Sequence, residues 1–178
     1  VLHVAGRDRS VGRETAVLDF SRKEVVDHVF TMVSNILRSA DISYVKWDFN
    51  RNLTEVGSAA LSSEQQKEVF HRYVLGVYDL AERLTSAFPD VLFEGCSGGG
   101  GRFDVGMLYY FPQIWTSDDT DAFERTRIQY GTSFLYPVSA MSAHVSASPN
   151  HQTHRAMPFS TRAKPMPATW AWPSARAM

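Results

Sequence analysis

Apolar positions recur along the chain with two different periods, and these periods predict an alternation of helices and strands. Apolar residues at helical spacing predict one helix over about 22–40 and a longer one that ends before Pro89. Ser21 and Ser63, each followed three residues later by Glu or Gln, have capping-box spacing and are predicted to begin these helices. Short apolar runs and capping signals predict the other elements: strands over 42–48, 91–94, 113–116 and 132–140, and a helix over about 121–130.

Strands that alternate with helices favour a parallel sheet, because parallel neighbours need a crossover connection. Polar residues gather where the predicted strands end, which is where (β/α)8 barrels carry their active sites. A complete barrel takes about 250 residues, and this chain has 178. The predicted fold is therefore α/β, forming part of a (β/α)8 barrel. A small doubly wound sheet stays the alternative, since its ligands also bind at the carboxyl ends of strands.

Composition and charge narrow the class of protein. Hydrophobic residues make up 44% and charged residues 21%, as in a globular domain with a core. The formal net charge of −1 gives no basic excess for nucleic acid or an acidic membrane surface. The one cysteine cannot form an internal disulfide, and no apolar run approaches the roughly 20 residues of a membrane helix. Because the chain begins at Val1 and shows no signal sequence, we expect a piece of a longer, cytoplasmic protein.

Two strand ends carry side chains suited to nucleophilic and acid–base chemistry. At the first, Lys46 lies close to Asp48, and a nearby cation favours the ionised carboxylate that a nucleophile requires. A surface ion pair beside a buried tryptophan would give the same pattern. At the second, 117–121 contains three carboxyl groups, and crowding favours the protonated form that a general acid needs. We expect Asp119 and Asp121 to cap a helix and one Asp to be catalytic, although the same cluster could instead hold Mg²⁺.

A glycine-rich loop over 95–101 follows another predicted strand and would let a ligand approach the backbone closely. It lacks a Walker motif, and the next segment, 103–112, is predicted to be irregular, which argues against a dinucleotide fingerprint. Cys96 is expected to be a buried small residue rather than a nucleophile, since it has no evident His and Asn partners. Structural roles are also expected for the polar residues near the C-terminus, because no third metal ligand accompanies the histidines: His144, Asn150, His151 and His154.

Together these segments resemble the melibiase-type α-galactosidases of glycoside hydrolase family 36. The resemblance covers about 1–162 and rests on motifs in the family order: Tyr44-Val-Lys-Trp-Asp-Phe-Asn-Arg51, Cys96-Ser-Gly-Gly-Gly-Gly-Arg-Phe-Asp104, Trp115-Thr-Ser-Asp-Asp-Thr-Asp121, Gln129-Tyr-Gly-Thr-Ser133 and His144-Val-Ser-Ala-Ser-Pro-Asn-His-Gln152. It implies a (β/α)8 catalytic barrel between two β-domains, of which this chain would supply about strands four to seven. It also implies that the full-length protein is a homotetramer.

The resemblance implies roles for individual residues. Asp48 corresponds to the nucleophile and Asp118 to the general acid/base of a retaining exo-α-galactosidase that acts on melibiose- or raffinose-like oligosaccharides. The reaction implied needs no metal and no organic cofactor. The side chains and backbone expected to line the substrate site are those of Arg13, Lys46, Trp47, Asn50, Cys96 and Gly99.

The resemblance stops after Arg162. We therefore expect a partial catalytic domain over 1–162 and an aberrant tail without a defined fold over 163–178. With suitable codons the Pro167-Ala168-Thr169-Trp170 segment would encode Gly-Asn-Leu in a shifted frame, so our hypothesis is a reading-frame error or an assembly artefact near residue 163. The alternatives left open are an α-N-acetylgalactosaminidase, an inactive fragment, and a metal-dependent phosphohydrolase that would use Asp118, Asp119 and Asp121.

Overall fold

Helices and strands alternate through the part of the chain that the computed structural model describes, namely 1–9, 12, 14–54 and 56–143. The strands are β1 (Tyr44–Asp48), β2 (Leu92–Cys96), β3 (Gln113–Trp115) and β4 (Met141–Ser142). The α-helices are α1 (Lys23–Ser39), α2 (Val69–Ala87), α3 (Val105–Tyr110) and α4 (Ala122–Ser133). Short 3-10 turns, Gln65–Glu68 and Val138–Ala140, precede α2 and β4. None of the described helices is long and apolar enough to cross a membrane.

The four strands form one parallel sheet in the order β1-β2-β3-β4, as the alternation predicts. Each strand pairs with the next one in the chain, and a helix lies between them in sequence. A doubly wound sheet reverses its strand order at a switch point. The order of the described strands contains no reversal, which argues against the doubly wound alternative.

The main core lies between one face of this sheet and the helices. Phe93 and Ile114 come from the strands, each only 1% exposed, and pack with Leu84 of α2. Val45 and Trp47 of β1 pack against the same cluster. Full burial of one such large apolar side chain stabilises the fold by about 1.5–3 kcal/mol. Since side chains alternate along a strand, the neighbouring positions of β1 and β2 face the other way and carry polar groups: Tyr44, Lys46, Asp48, Glu94 and Cys96.

The predicted cap at Ser21 is wrong, although α1 itself is confirmed. The N-cap residue is Arg22, and it makes no side-chain capping bond. The Ser21 hydroxyl instead donates to Asp19 Oδ1 at 2.5 Å, and the Ser58 hydroxyl donates to Asp19 Oδ2 at 2.5 Å. Asp19 is 1% exposed. A buried carboxylate needs such donors, and this tertiary demand overrides the local capping preference.

Two further local predictions are wrong, one by a single residue and one in the type of structure. The capping pair before α2 is Ser62 with Gln65, not the pair one residue later: Gln65 N donates to Ser62 Oγ at 3.4 Å, and Ser62 N donates to Gln65 Oε1 at 3.2 Å. The segment 103–112 is not irregular, because α3 lies within it. The Asp104 carboxylate begins that helix by accepting from Met107 N at 2.9 Å.

The predicted strand over 132–140 is also wrong. Helix α4 continues to Ser133, and β4 begins only at Met141. Phe134 and Leu135, the apolar residues that suggested a strand, are 71% and 82% exposed just beyond the helix. A short apolar run does not by itself distinguish a strand from a helical segment. Here Phe134 packs edge-on against Tyr130 of α4, with ring centroids 4.9 Å apart, instead of entering the sheet.

Candidate functional site

The polar face of the sheet brings together side chains from neighbouring strands at matched register. Lys46 lies opposite Glu94, and Asp48 lies opposite Cys96, in the parallel pairing of β1 with β2. Residues two apart on a strand share a face, so all four side chains lie on one face, towards the carboxyl ends of both strands. Three of the four are residues predicted for the site.

Asp48 is exposed at the end of β1 and is oriented by its neighbours. Asn50 Nδ2 donates to Asp48 Oδ2 at 2.6 Å, and Asn50 Oδ1 accepts from the backbone N–H of Gly98 at 2.7 Å. Burial raises the pKa of the Cys96 thiol; the Gly99 backbone N–H opposes this, and a hydrogen bond to Asp48 adds to it. The neutral thiol is therefore a donor to the carboxylate rather than a nucleophile.

Glu94 is a buried carboxylate that the sequence reasoning missed. It is 4% exposed, the Tyr44 hydroxyl donates to its Oε2, and Lys46 Nζ lies 3.4 Å from its Oε1. Burial raises the pKa of Glu94, because the low-dielectric surroundings disfavour the charged form, and a hydrogen bond from Ser142 opposes this shift. The sequence held a signal for it: a charged residue within the apolar run 91–94.

Asp118 lies in the loop after β3 and is exposed. The indole Nε1 of Trp115 donates to Asp118 Oδ1 at 3.0 Å. The two neighbouring carboxylates serve the start of α4. Asp121 accepts from Phe123 N at 2.8 Å, and Asp119 Oδ1 accepts from Asp121 N at 2.9 Å. The predicted capping role is therefore confirmed for Asp121, and Asp119 supports the turn before the helix. Asp118 makes neither of these capping hydrogen bonds.

The glycine loop joins the two strand ends. Gly98 and Gly99 have φ of +56° and +81°, a region that favours glycine. Ser97 Oγ donates to the carbonyl oxygen of Phe49 at 2.8 Å, next to the end of β1. A Cβ added at Gly99 would lie 2.8 Å from the backbone nitrogen of Asp118. The loop therefore contacts both the segment that follows Asp48 and the segment that carries Asp118.

Trp47 does not lie with the site residues on the polar face of the sheet, so its predicted place in the substrate site is wrong. It faces the helix side of β1, where its ring centroid lies 6.4 Å from that of Phe111 in the main core. Five candidate residues lie outside the described part of the chain: Arg13, His144, Asn150, His151 and His154. The proposed tail over 163–178 lies outside it as well. Within the described part of the chain, no three His, Cys, Asp or Glu side chains are grouped to hold a metal ion.

Known proteins match this chain over most of its length. A family model described as Melibiase matches residues 1–167. Alpha-galactosidase AgaA of Geobacillus stearothermophilus is 60% identical over 161 residues, which are 90% of this chain and 22% of that protein. Alpha-galactosidase Mel36A of Lactobacillus acidophilus is 56% identical over 162 residues, which are 91% of this chain and 22% of that protein. The chain spans 22% of the length of each of these curated relatives.

Solved structures share the described fold. The crystal structure of GH36 alpha-galactosidase AgaA from Geobacillus stearothermophilus matches with a TM-score of 0.86 at 60% identity, over 88% of this chain and 22% of that chain. Variants of AgaA in complex with raffinose and with stachyose also match with a TM-score of 0.86, at 60% and 59% identity. The α-helices and the parallel sheet therefore form the same arrangement as a segment of these structures.

Proposed function

Because the chain belongs to the melibiase family, we propose that it forms about strands four to seven of the catalytic (β/α)8 barrel of a retaining exo-α-galactosidase. The proposed reaction is the hydrolysis of terminal α-linked galactose from oligosaccharides such as melibiose and raffinose. The names of the relatives and the raffinose and stachyose complexes of AgaA support this substrate class. The sequential parallel strand order supports the barrel, in which each strand pairs with the next.

One observation carries the proposal: two exposed carboxylates, one in the last residue of β1 and one in the loop after β3, are linked through a single glycine loop. Asp48 is linked through Asn50 to the backbone N–H of Gly98. The next residue, Gly99, packs against the backbone of Asp118. A retaining glycosidase needs two carboxyl groups held about 5–5.5 Å apart. A short connection through hydrogen bonds and close backbone packing suits that requirement, because it restricts the movement of one carboxylate relative to the other.

In the first proposed step, an oxygen of the Asp48 carboxylate bonds to the anomeric carbon of galactose. The glycosidic bond breaks at the same time, and its oxygen leaves with the proton of Asp118. The product is a covalent galactosyl-enzyme with the configuration inverted. In the second step Asp118 takes a proton from water, the water oxygen bonds to the anomeric carbon, and the bond to Asp48 breaks. Two inversions restore the α configuration.

The polar residues around Asp48 supply the surroundings that this chemistry needs. The Lys46 side chain lies on the same face of the sheet as Asp48, and the Asn50 amide follows it, so both can meet galactose hydroxyls. Asn50 Nδ2 also stabilises the Asp48 carboxylate by donating to its Oδ2, whereas the Lys46 ammonium lies 3.4 Å from Glu94 Oε1. The Cys96 thiol donates to Asp48 and stays neutral. We assign these three residues and the Gly99 backbone to the galactose subsite, as the family resemblance implies.

The two carboxylates can be distinguished by replacing each one in the full-length protein. Asp48→Ala removes the nucleophile, so activity should vanish on every galactoside. Asp118→Ala removes proton donation and base assistance only, so raffinose hydrolysis should fall by about a hundredfold or more. Nitrophenyl galactosides need little protonation and should still form the galactosyl-enzyme. Azide should then restore turnover of Asp118→Ala and yield an α-galactosyl azide.

Asp119→Asn is the matched control, because Asp119 lies beside Asp118 but is hydrogen-bonded into the turn before α4. It should keep the wild-type ratio of raffinose to nitrophenyl galactoside activity. Azide that rescues Asp48→Ala to an α product would show that the roles are assigned wrongly. So would an Asp118→Ala variant that hydrolyses raffinose at the wild-type rate.

A further inference from the structure

Trp115 contacts both halves of the site although no role follows for it from the proposed chemistry. It lies in β3, is 4% exposed, and its indole N–H donates to Asp118 Oδ1 at 3.0 Å. An indole N–H is a donor only. It therefore holds Oδ1 as an acceptor whether or not the carboxyl group carries a proton.

Two cations hold the Trp115 ring. Lys46 Nζ lies 4.0 Å from the ring centroid, and the guanidinium carbon of Arg125 lies 4.7 Å from it. Cations within about 6 Å of an indole centroid are attracted by the ring electrons. Arg125 is 5% exposed and its Nη1 donates to the carbonyl oxygen of Ser117 at 2.9 Å. The same arginine therefore fixes the ring and the backbone immediately before Asp118.

We propose that Trp115 is a positioning residue that sets which oxygen of Asp118 exchanges the proton. With Oδ1 engaged by the indole, Oδ2 is the oxygen left to donate the proton to the glycosidic oxygen and later to take one from water. An exposed carboxyl group without this bond rotates freely, and both oxygens then share the proton. Through Lys46, the ring also ties this orientation to β1, the strand that carries Asp48. The inference rests on the proposed role of Asp118.

The test compares substrates that differ in their need for proton donation. In the full-length protein, Trp115→Phe keeps an aromatic ring and removes the N–H donor. General acid catalysis contributes about 10²–10⁴-fold, so kcat/KM for raffinose should fall roughly tenfold to hundredfold when the proton is misdirected. The quantity kcat/KM reports the first step alone, and nitrophenyl galactoside barely needs an acid there. Its kcat/KM should change by less than about threefold, so the ratio between the two substrates shifts.

A second variant tests whether the effect of Trp115→Phe comes from the lost N–H rather than from the smaller phenylalanine ring. Replacing Trp115 with the tryptophan analogue that has sulfur in place of the indole N–H preserves size and ring contacts. It should shift the substrate ratio as Trp115→Phe does. Trp47→Phe is the matched control, since it removes the same N–H from the helix-facing side of the sheet. It should leave the ratio at the wild-type value, whatever it does to stability.

The outcomes separate this inference from the proposed function. If Asp118→Ala shows the expected dependence on the leaving group and both Trp115 variants keep the wild-type ratio, Trp115 does not position the acid and the inference is overturned. If the wild-type protein does not hydrolyse raffinose, or if Asp118→Ala hydrolyses it at the wild-type rate, the proposed function is overturned and the inference with it. A fall in kcat/KM that is equal for both substrates would show a merely structural role for Trp115.

Discussion

Replacing Gly99 with alanine should disturb the Asp118 segment far more than the same change at Gly98. Both glycines have positive φ, so an alanine at either position carries backbone strain of about 1–2 kcal/mol. At Gly98 a Cβ would meet only Asn50 Oδ1, at 4.0 Å. At Gly99 it would lie 2.8 Å from Asp118 N and 3.0 Å from Ser117 Cα, which are backbone atoms that cannot rotate away.

The geometry sets the size of the difference. Ordinary van der Waals contact begins at 3.4 Å, so the Asp118 backbone would have to retreat by about half an ångström, and overpacking of this kind costs about 1–3 kcal/mol. We therefore expect Gly99→Ala to lower the free energy of unfolding by about 2–5 kcal/mol, against about 1–2 kcal/mol for Gly98→Ala. A displacement of 1 Å costs about a hundredfold in rate, so half of it should cost roughly tenfold.

The assay is denaturant unfolding together with kcat/KM on raffinose, for both variants of the full-length protein. The loss of raffinose activity should be specific to Gly99→Ala, because only that Cβ moves the segment carrying the proposed acid. Equal losses of stability and activity in the two variants would refute the reasoning. They would mean that positive φ alone, rather than close packing against Asp118, explains why glycine is needed at position 99.

Three further predictions follow from buried groups and exposed surface. Asp19→Asn places an amide against the hydroxyl donor of Ser58, and unfolding in denaturant should show a loss of about 2–3 kcal/mol; a loss below half of this would contradict the buried network. Burial raises the pKa of Glu94 in the folded state. The folded state is therefore most stable below the pKa of the unfolded chain, about 4.3, where this carboxyl group is neutral, and it loses that stability as the pH rises through the folded pKa. Glu94→Gln should therefore gain stability relative to wild type between pH 4 and pH 7; the opposite slope would show that Lys46 at 3.4 Å outweighs burial. The 178-residue chain expressed alone should aggregate or lack near-UV circular dichroism, because Leu135 and its neighbours are exposed, and a monomer that unfolds cooperatively would contradict this.

The sequence pattern predicted the two long helices and the strands β1, β2 and β3 well, but it missed α3 and misplaced β4. Helix α1 lies within the predicted range 22–40, because its apolar spacing persists over 17 residues. Helix α3 has six residues, too few to show a period, and depends on the Asp104 cap. The cap at Ser21 was wrong because its hydroxyl has a partner, Asp19, whose burial is a tertiary property. Local rules do not contain that information.

The candidate site was predictable where chemistry sits at a strand end. Residue type and position pointed to Lys46 with Asp48 and to the carboxyl cluster over 117–121, but only the family resemblance singled out Asp118 within that cluster. For Glu94 the sequence held only one signal, a charged residue within an apolar run. Its partners, like the Lys46 contact of Trp115, depend on which strands pair and at which register. The alternation within β1 already argued against Trp47 as a substrate-site residue, because a residue between two positions of the polar face points to the opposite face.

That alternation explains how one short sheet supports both a stable core and a charged rim. On β1, Val45 packs against the helix-side core while Lys46 faces the polar side, so core packing and the charged site use different side chains of the same strand. Glu94 is 4% exposed, and a buried carboxylate without partners would cost several kcal/mol. Its partners Tyr44 and Lys46 come from the adjacent strand. They reach Glu94 only when β1 and β2 pair in the observed register, and a slip of one residue would send both to the opposite face. The polar side chains therefore favour the one register that also aligns Asp48 with Cys96 at the end of the strands.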